Sequence, residues 1–373
     1  MRNKKYDTPI RIVCAVLFVI FSFLYICMMQ GELLALVQDH LAQGKTSNNT
    51  IVTATLITSL LFALQYLLNK LGRLHGKFEA LSYLPSCALL ALMTKVDGGL
   101  SYSFVQWLVC LCVVAAVYGI FVWFDRNTVQ FNTKTLFSQL STNLFFLALL
   151  FVFTGWYGNS SPVRQMELAA WRHTHDREYA KVLKVGERSD ECNAGFTALR
   201  NLALAQTGQL GSRMFAYPQH YGSDGLMMNR YNVQTPTYGA SEFYDILGAQ
   251  PYGGEAASAF YKRMSEKTDS VIYRDLYVAA LLLDKNLEDF VQTVGGERAI
   301  EAILPVHHQE ALIIYNEQHP FTPVVFATDN EVEQRYQEYL TLRETHADNL
   351  TSMQNLSKRM FGDTYWYYYD FVK

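Results

Sequence analysis

From Tyr157 to the end of this 373-residue sequence there is one cysteine, Cys192, so no disulfide can form within that half and its fold must rest on its own core. The other five, Cys14, Cys27, Cys87, Cys110 and Cys112, lie in apolar runs, where a thiol packs as a small hydrophobe. Cys110-Leu-Cys112 has neither redox nor zinc-ribbon spacing. Also missing are a phosphate-cradling Gly-x-x-x-x-Gly-Lys, a His-Glu-x-x-His, a Gly-x-Ser-x-Gly and a dinucleotide-binding Gly-x-Gly-x-x-Gly, which lowers an enzyme reading. Sustained apolar–polar alternation of the strand type is scarce, and the expectation is an all-α chain.

Charge is short where apolar character is long. Five apolar stretches, at about 10–29, 51–68, 78–94, 104–124 and 136–156, have no Asp, Glu or Lys at their centres. Most approach the ~20 residues that cross a ~30 Å hydrocarbon core. The third carries Pro85 and is open to a second reading as a re-entrant or kinked segment. The first has a basic start but a longer run than a signal core and no small-x-small site after it, so it is expected to be a retained anchor. The lack of buried ionisable residues in the spans argues against an ion-coupled transporter, whose relays need them.

Lys and Arg crowd the start (Arg2, Lys4, Lys5, Arg11), the second connection (Lys70, Arg73, Lys77) and the fourth (Arg126, Lys134), while the alternate connections hold only Lys45 and Lys95. By the positive-inside rule the N-terminus is cytoplasmic, and five spans place the rest outside. The net charge is about +5 for residues 1–156 and −8 for residues 157–373. Two domains are therefore expected, a transmembrane helix bundle over 1–156 and a soluble extracytoplasmic domain over 157–373. An acidic outer half disfavours nucleic acid as a partner.

That outer half reads as short helices in pairs. Helical periodicity recurs through 166–171, 179–185, 196–206, 240–247, 255–264, 271–283, 287–294, 308–315 and 331–344. Turn signals such as Gly208, Gly248 and Asp284-Lys285-Asn286 fall between them. The units around 201–215, 243–261 and 277–291 look like one hairpin repeated, with Ala203, Ala257 and Ala280 allowing close approach and Phe215, Phe260 and Phe290 filling gaps. This is tetratricopeptide-like logic without its 34-residue period or its signature positions. A degenerate helical solenoid is expected, closed by a cap over 331–373 whose Tyr336, Tyr339, Leu340, Leu350, Leu356, Met360 and Phe361 cover the end of the array.

The phrases Asn201-Leu-Ala-Leu-Ala-Gln-Thr-Gly-Gln-Leu with Met214-Phe215 and Gln219, Leu304-Pro-Val-His-His-Gln-Glu-Ala-Leu-Ile-Ile-Tyr315, and Gly362-Asp-Thr-Tyr-Trp-Tyr-Tyr-Tyr369 together resemble an uncharacterised family of bacterial multi-spanning membrane proteins, mainly over residues 160–373. The resemblance implies a bacterial inner-membrane protein with a periplasmic helical-repeat tail. It carries over no activity and no catalytic residues.

Few side chains point to chemistry. His173 and His175 sit at i and i+2, which on a helix diverge by about 200° and read as a solvated or turn-stabilising pair. His307-His308 beside Pro305 reads as capping or packing. Glu32 and Asp39, at i and i+7 on an amphipathic stretch in the first outside loop, are the sharpest enzyme clue, because multi-spanning lipid-linked glycosyltransferases use acids there to bind a metal or take a proton. The plainer reading is a solvated interfacial helix. The aromatic run 365–369 is read as closing the last helix pair, with sugar or headgroup stacking as the other use. No residue is assigned as catalytic, cofactor-binding or metal-binding, and no cofactor is expected. The function expected is a membrane-anchored scaffold whose partners are the lipid bilayer and a protein held by the helical-repeat surface; the second reading is a membrane enzyme acting on a lipid-linked substrate.

Overall fold

Runs of Leu, Ile, Val and Phe without a turn residue form the longest helices, because in an apolar setting only a helix satisfies every backbone group within its own segment. The computed structural model describes residues 7–42, 49–72, 74, 76–95, 104–127, 136–158, 161–228, 240–295 and 304–372. Among the described residues all regular structure is helical and there is no strand. Contacts divide the chain into two units, Met1–Leu168 with Gln234–Thr237, and Ala169–Val233 with Tyr238–Lys373.

In the first unit, α1 (Asp7–Leu24) runs on through a π-helical turn at Tyr25–Met29 into α2 (Gly31–Ala42). There follow α3 (Thr50–Gly72), a 3-10 turn (Gly76–Tyr83), α4 (Leu84–Thr94), α5 (Phe104–Asn127) and α6 (Leu136–Tyr157). Three helices, Thr8–Met29, Thr50–Gly72 and Leu136–Tyr157, are long and apolar enough to cross a membrane, and two shorter apolar stretches stand beside them, Phe78–Thr94 and the part Trp107–Trp123 of α5. Ile12, Leu60 and Val152 stand on exposed faces of α1, α3 and α6. By contrast α4 is buried nearly all round, through Cys87, Ala88, Leu90, Ala91 and Leu92, and packs against α3, α5 and α6. Pro85 starts α4 rather than bending it, since the first turn has no use for the missing N–H. The departure from helical geometry lies earlier, at Phe78.

The second unit begins within α7 (Pro162–His175) and continues through α8 (Tyr179–Lys184), α9 (Ala194–Gln206) and the single turn α10 (Leu210–Arg213). Next come α11 (Ala240–Leu247), α12 (Ala257–Lys267), α13 (Val271–Leu283), α14 (Leu287–Gly295), α15 (Val306–Gln318), α16 (Asn330–Thr345), α17 (Leu350–Phe361) and α18 (Tyr365–Phe371). Helical pairs such as α8–α9, α12–α13 and α13–α14 pack against each other. The turn after α9 closes with Gln209 N–H on the Leu204 carbonyl at 2.8 Å, with Gly208 in the left-handed region at φ +67°. The α13–α14 turn closes the same way, Asn286 N–H to Leu281 O at 2.9 Å, but the left-handed residue there is Lys285, φ +57°.

The expected cap is only partly apolar inward. Tyr336, Tyr339 and Phe361 are buried, but Leu350 and Met360 are 67% and 52% exposed and cover nothing. Both lie on α17, where Ser357 and Phe361 are the buried positions; Met360 falls off that face, whereas Leu350 is in register with it but is the first residue of the helix and stands beyond what the packing covers.

Candidate functional site

The first loop holds its acids on a helix, as the sequence spacing predicts. Glu32 lies in the first turn of α2. That helix packs on α3 and on the π-helical turn, beside the fully buried Gln30, and leaves the Glu32 side chain half-buried. A freely solvated interfacial helix does not describe this position. Asp39 is on the same helix, but its side chain lies outside the described part of the structure.

A second carboxylate went unforeseen. Glu79, in the 3-10 turn before α4, has a side chain only 1% exposed and pairs with Arg11 of α1, Nε to Oε1 at 2.9 Å. Asn69 Nδ2 donates to the same oxygen at 2.9 Å. Around it, Gln65 Nε2 donates to Ser82 Oγ at 2.7 Å and the Ala80 N–H donates to Asn143 Oδ1 at 2.8 Å. The apolar unit therefore does contain a buried ionisable residue, so that ground for setting aside an ion-coupled transporter falls away. Nothing local in the sequence marks Glu79, which sits at the edge of its apolar stretch with a partner 68 residues distant.

In the second unit the aromatic tail is buried. Tyr365, Trp366, Tyr367 and Tyr368 of α18 are at most 8% exposed. Tyr365 and Tyr368 pack on Phe215, and Trp366 packs on Tyr336. Polar bonds fix the same helix. The Tyr365 N–H donates to Glu310 Oε2 at 2.7 Å, Tyr368 Oη donates to the Leu283 carbonyl at 2.7 Å, and Lys285 Nζ donates to the carbonyls of Tyr369 and Val372 at 2.9 and 2.6 Å. This explains a lysine at a left-handed position: the ammonium covers the carbonyl end of α18, where the helix dipole is negative.

The histidines serve this packing. The Phe215 N–H donates to His307 Nε2 at 3.4 Å, so the His307 proton resides on Nδ1 and bonds Glu310 Oε2 at 2.8 Å. The His308 ring meets Phe290 edge-on at 5.6 Å. Burial, with His307 adding to it, pushes the His308 imidazolium down to about 3, so the ring is neutral near pH 7. His173 and His175 bond different acids, Glu178 at 3.1 Å and Glu242 at 2.7 Å, one securing the turn after α7 and the other reaching α11. Arg200 is buried with its Nη2 on the Val185 and Gly186 carbonyls at 2.8 and 2.6 Å and its guanidinium 3.9 Å from the Phe196 ring centroid; burial pushes it down to about 10. Cys192 is half-buried, with its thiol pushed up by burial, which makes it a slow nucleophile.

One open recess among the described residues of this unit is polar. About 500 Å³ is enclosed between the end of α12, the start of α13 and α14, lined by Lys262, Glu266, Asp269, Arg274, Asp289 and Gln292 among others. Both signs of charge alternate around it, an arrangement that receives hydrogen-bonding groups of a partner better than an apolar ligand.

The family model for a family of unknown function, DUF6057, matches residues 159–250 and 254–372, more than half of the chain. The chain belongs to DUF6057. The matched residues include every element that builds the tail packing, from α8 to α18, and the recess beside it. No curated protein and no solved structure matches the chain.

Proposed function

We propose that this DUF6057 member is a multi-pass protein of a bacterial inner membrane that holds a helical-repeat scaffold in the periplasm, where the scaffold binds a protein partner. The observation that carries the membrane part is the apolar outer face of three span-length helices, α1 with its π-helical turn, α3 and α6. Two shorter apolar helices bring the spans to five, and the alternation of Lys and Arg between connections supports an N-terminus in the cytoplasm. The scaffold part is supported by helix pairing through α8–α9 and α12–α13–α14, and by the mixed-charge recess that α12, α13 and α14 frame.

Cys192 is a poor reporter of topology because its thiol is half-buried. Leu350, 67% exposed, is the better position. A cysteine placed there by Leu350→Cys, in intact spheroplasts of a chain whose native cysteines are serine, is expected to react with a thiol reagent that does not cross the inner membrane. Labelling only after lysis would overturn the placement. For the partner, a photo-crosslinking residue at Gln292 in the recess is expected to capture one protein that the same residue at Leu350 does not.

The half-buried Glu32 keeps a second reading in view, a membrane enzyme that acts on a lipid-linked substrate. Glu32→Gln with Asp39→Asn separates the two. A scaffold retains its partner adduct and its cellular phenotype at normal protein level, whereas an enzyme loses the phenotype.

A further inference from the structure

Between α15 and α16 the chain leaves the helical array as an extended loop, Pro320-Phe-Thr-Pro-Val-Val-Phe-Ala-Thr328, with no charged residue in it. Phe321 is 96% exposed, the highest value of any large hydrophobic side chain among the described residues, and Val325 on the same loop is 75% exposed. Isolated exposed apolar side chains are ordinary; here two stand four residues apart on one uncharged loop. The loop is also held rigidly outward. Asn316 of α15 acts as a strand mimic, accepting from the Val324 N–H at 2.8 Å and donating to the Val324 carbonyl at 2.9 Å. The Thr322 N–H closes a turn on the His319 carbonyl at 3.1 Å, and the Asp329 N–H donates to Gln309 Oε1 at 2.8 Å. With Pro320 and Pro323 fixing φ on either side of the tip, the aromatic ring is presented with little conformational entropy left to lose on contact.

We infer that this loop is a lipid-contacting wedge, with Phe321 and Val325 entering the interfacial region of the bilayer. The inference rests on the membrane reading proposed above. What selects lipid over another occupant is the tether: α7 starts at Pro162, close behind the end of span-length α6 at Tyr157, so a bilayer carrying α6 is always present at high effective concentration for this unit. The half from Tyr157 onward has a net charge of −8 and is repelled by anionic headgroups, so its contact with lipid must use uncharged, apolar side chains, as this loop does.

The test uses the full chain in vesicles of phosphatidylethanolamine and phosphatidylglycerol, with a benzophenone amino acid at one position at a time: 321, Leu60 on the exposed face of α3, or Leu350 elsewhere on the second unit. Irradiation is expected to give lipid adducts at 60 and 321 and at least tenfold less at 350. Adducts at 60 but not at 321 overturn the wedge and leave the membrane reading standing. A crosslink from 321 to a second copy of the chain overturns it in favour of an interface between copies, and equal lipid adducts at 321 and 350 overturn it as non-specific. Lipid adducts at neither 60 nor 321 overturn both readings.

Discussion

Acidification from pH 7 to pH 5 is expected to destabilise the second unit through His308 by about 2 kcal/mol. The ring is enclosed by Phe290 of α14 and by the turn at Gly211, where a built Cβ would lie 3.0 Å from His308 Nε2. Burial holds the folded-state imidazolium down to about 3, whereas an unfolded histidine titrates near 6.5. The folded pKa is the lower one, so the unfolded state binds the proton first. Stability from this group is fully present above about 6.5 and is lost as pH falls toward about 3. At pH 5 the unfolded state lies about 1.5 units below its pKa, which at about 1.4 kcal/mol per unit gives the 2 kcal/mol. Pulse proteolysis of the full chain in detergent across a urea series measures it, at pH 7 and pH 5, for wild type and His308→Gln. Every other histidine is the same in both proteins, so the difference between the two pH slopes isolates His308. The variant should lose about 2 kcal/mol less than wild type over this interval. Equal losses in both proteins would refute the argument that this ring is held neutral by its packing.

Three further outcomes are expected. Gly211→Ala brings a Cβ to 2.8 Å from Pro305 Cβ; the proline ring cannot swing away, so the cost is about 1–3 kcal/mol by the same proteolysis, against little change for Ala at the open Gly253. Glu79→Gln removes the carboxylate that Arg11 Nε bonds and should destabilise the detergent-solubilised chain by roughly 1–3 kcal/mol, read as a lower thermal midpoint, because Arg11 is itself 49% exposed, while joint replacement of both residues by Met restores much of it. Lys285→Gly relieves the left-handed strain but removes two ammonium–carbonyl bonds, for a net loss of about 1 kcal/mol, read as faster amide exchange confined to α18 and its neighbours.

Helices with both a clear period and a marked end were legible without coordinates. Ala240–Leu247 and Val271–Leu283 coincide with their sequence-based bounds because a left-handed residue or a turn triplet follows each. The long apolar runs were equally plain, since their length alone carries the signal. The Glu79–Arg11 pair was not legible, because nothing local distinguishes an acid at the edge of an apolar stretch that will be buried from one that will be hydrated. The exposure of Met360 is hidden from the sequence for a related reason. An apolar residue reports its own preference, but the face of α17 that is covered depends on where α16 and α18 lie against it. The aromatic tail was ambiguous in the same way, as five adjacent rings suit a stacking platform and a core equally well. What decides for the core is Phe215, about 150 residues upstream, and the carbonyls of the α13–α14 turn.

The placement of that tail bears on how a unit of short helices holds together. A linear array closed only at its end would fray from that end, each unit leaning on the next. Here α18 bonds at once to the α9–α10 region through Phe215, to the α13–α14 turn through Lys285 and Tyr368, to α15 through Glu310, and to α16 through the Tyr339–Asp370 hydrogen bond at 2.6 Å. The C-terminal helix therefore ties elements from the beginning, middle and end of the unit into one cooperative body, which explains how it keeps its shape without a disulfide. If the scaffold function proposed above holds, such a body suits it: the recess at α12–α14 and the loop at Phe321 are carried by helices of the same packed unit, so a partner would meet a site whose ordering cost has already been met in folding.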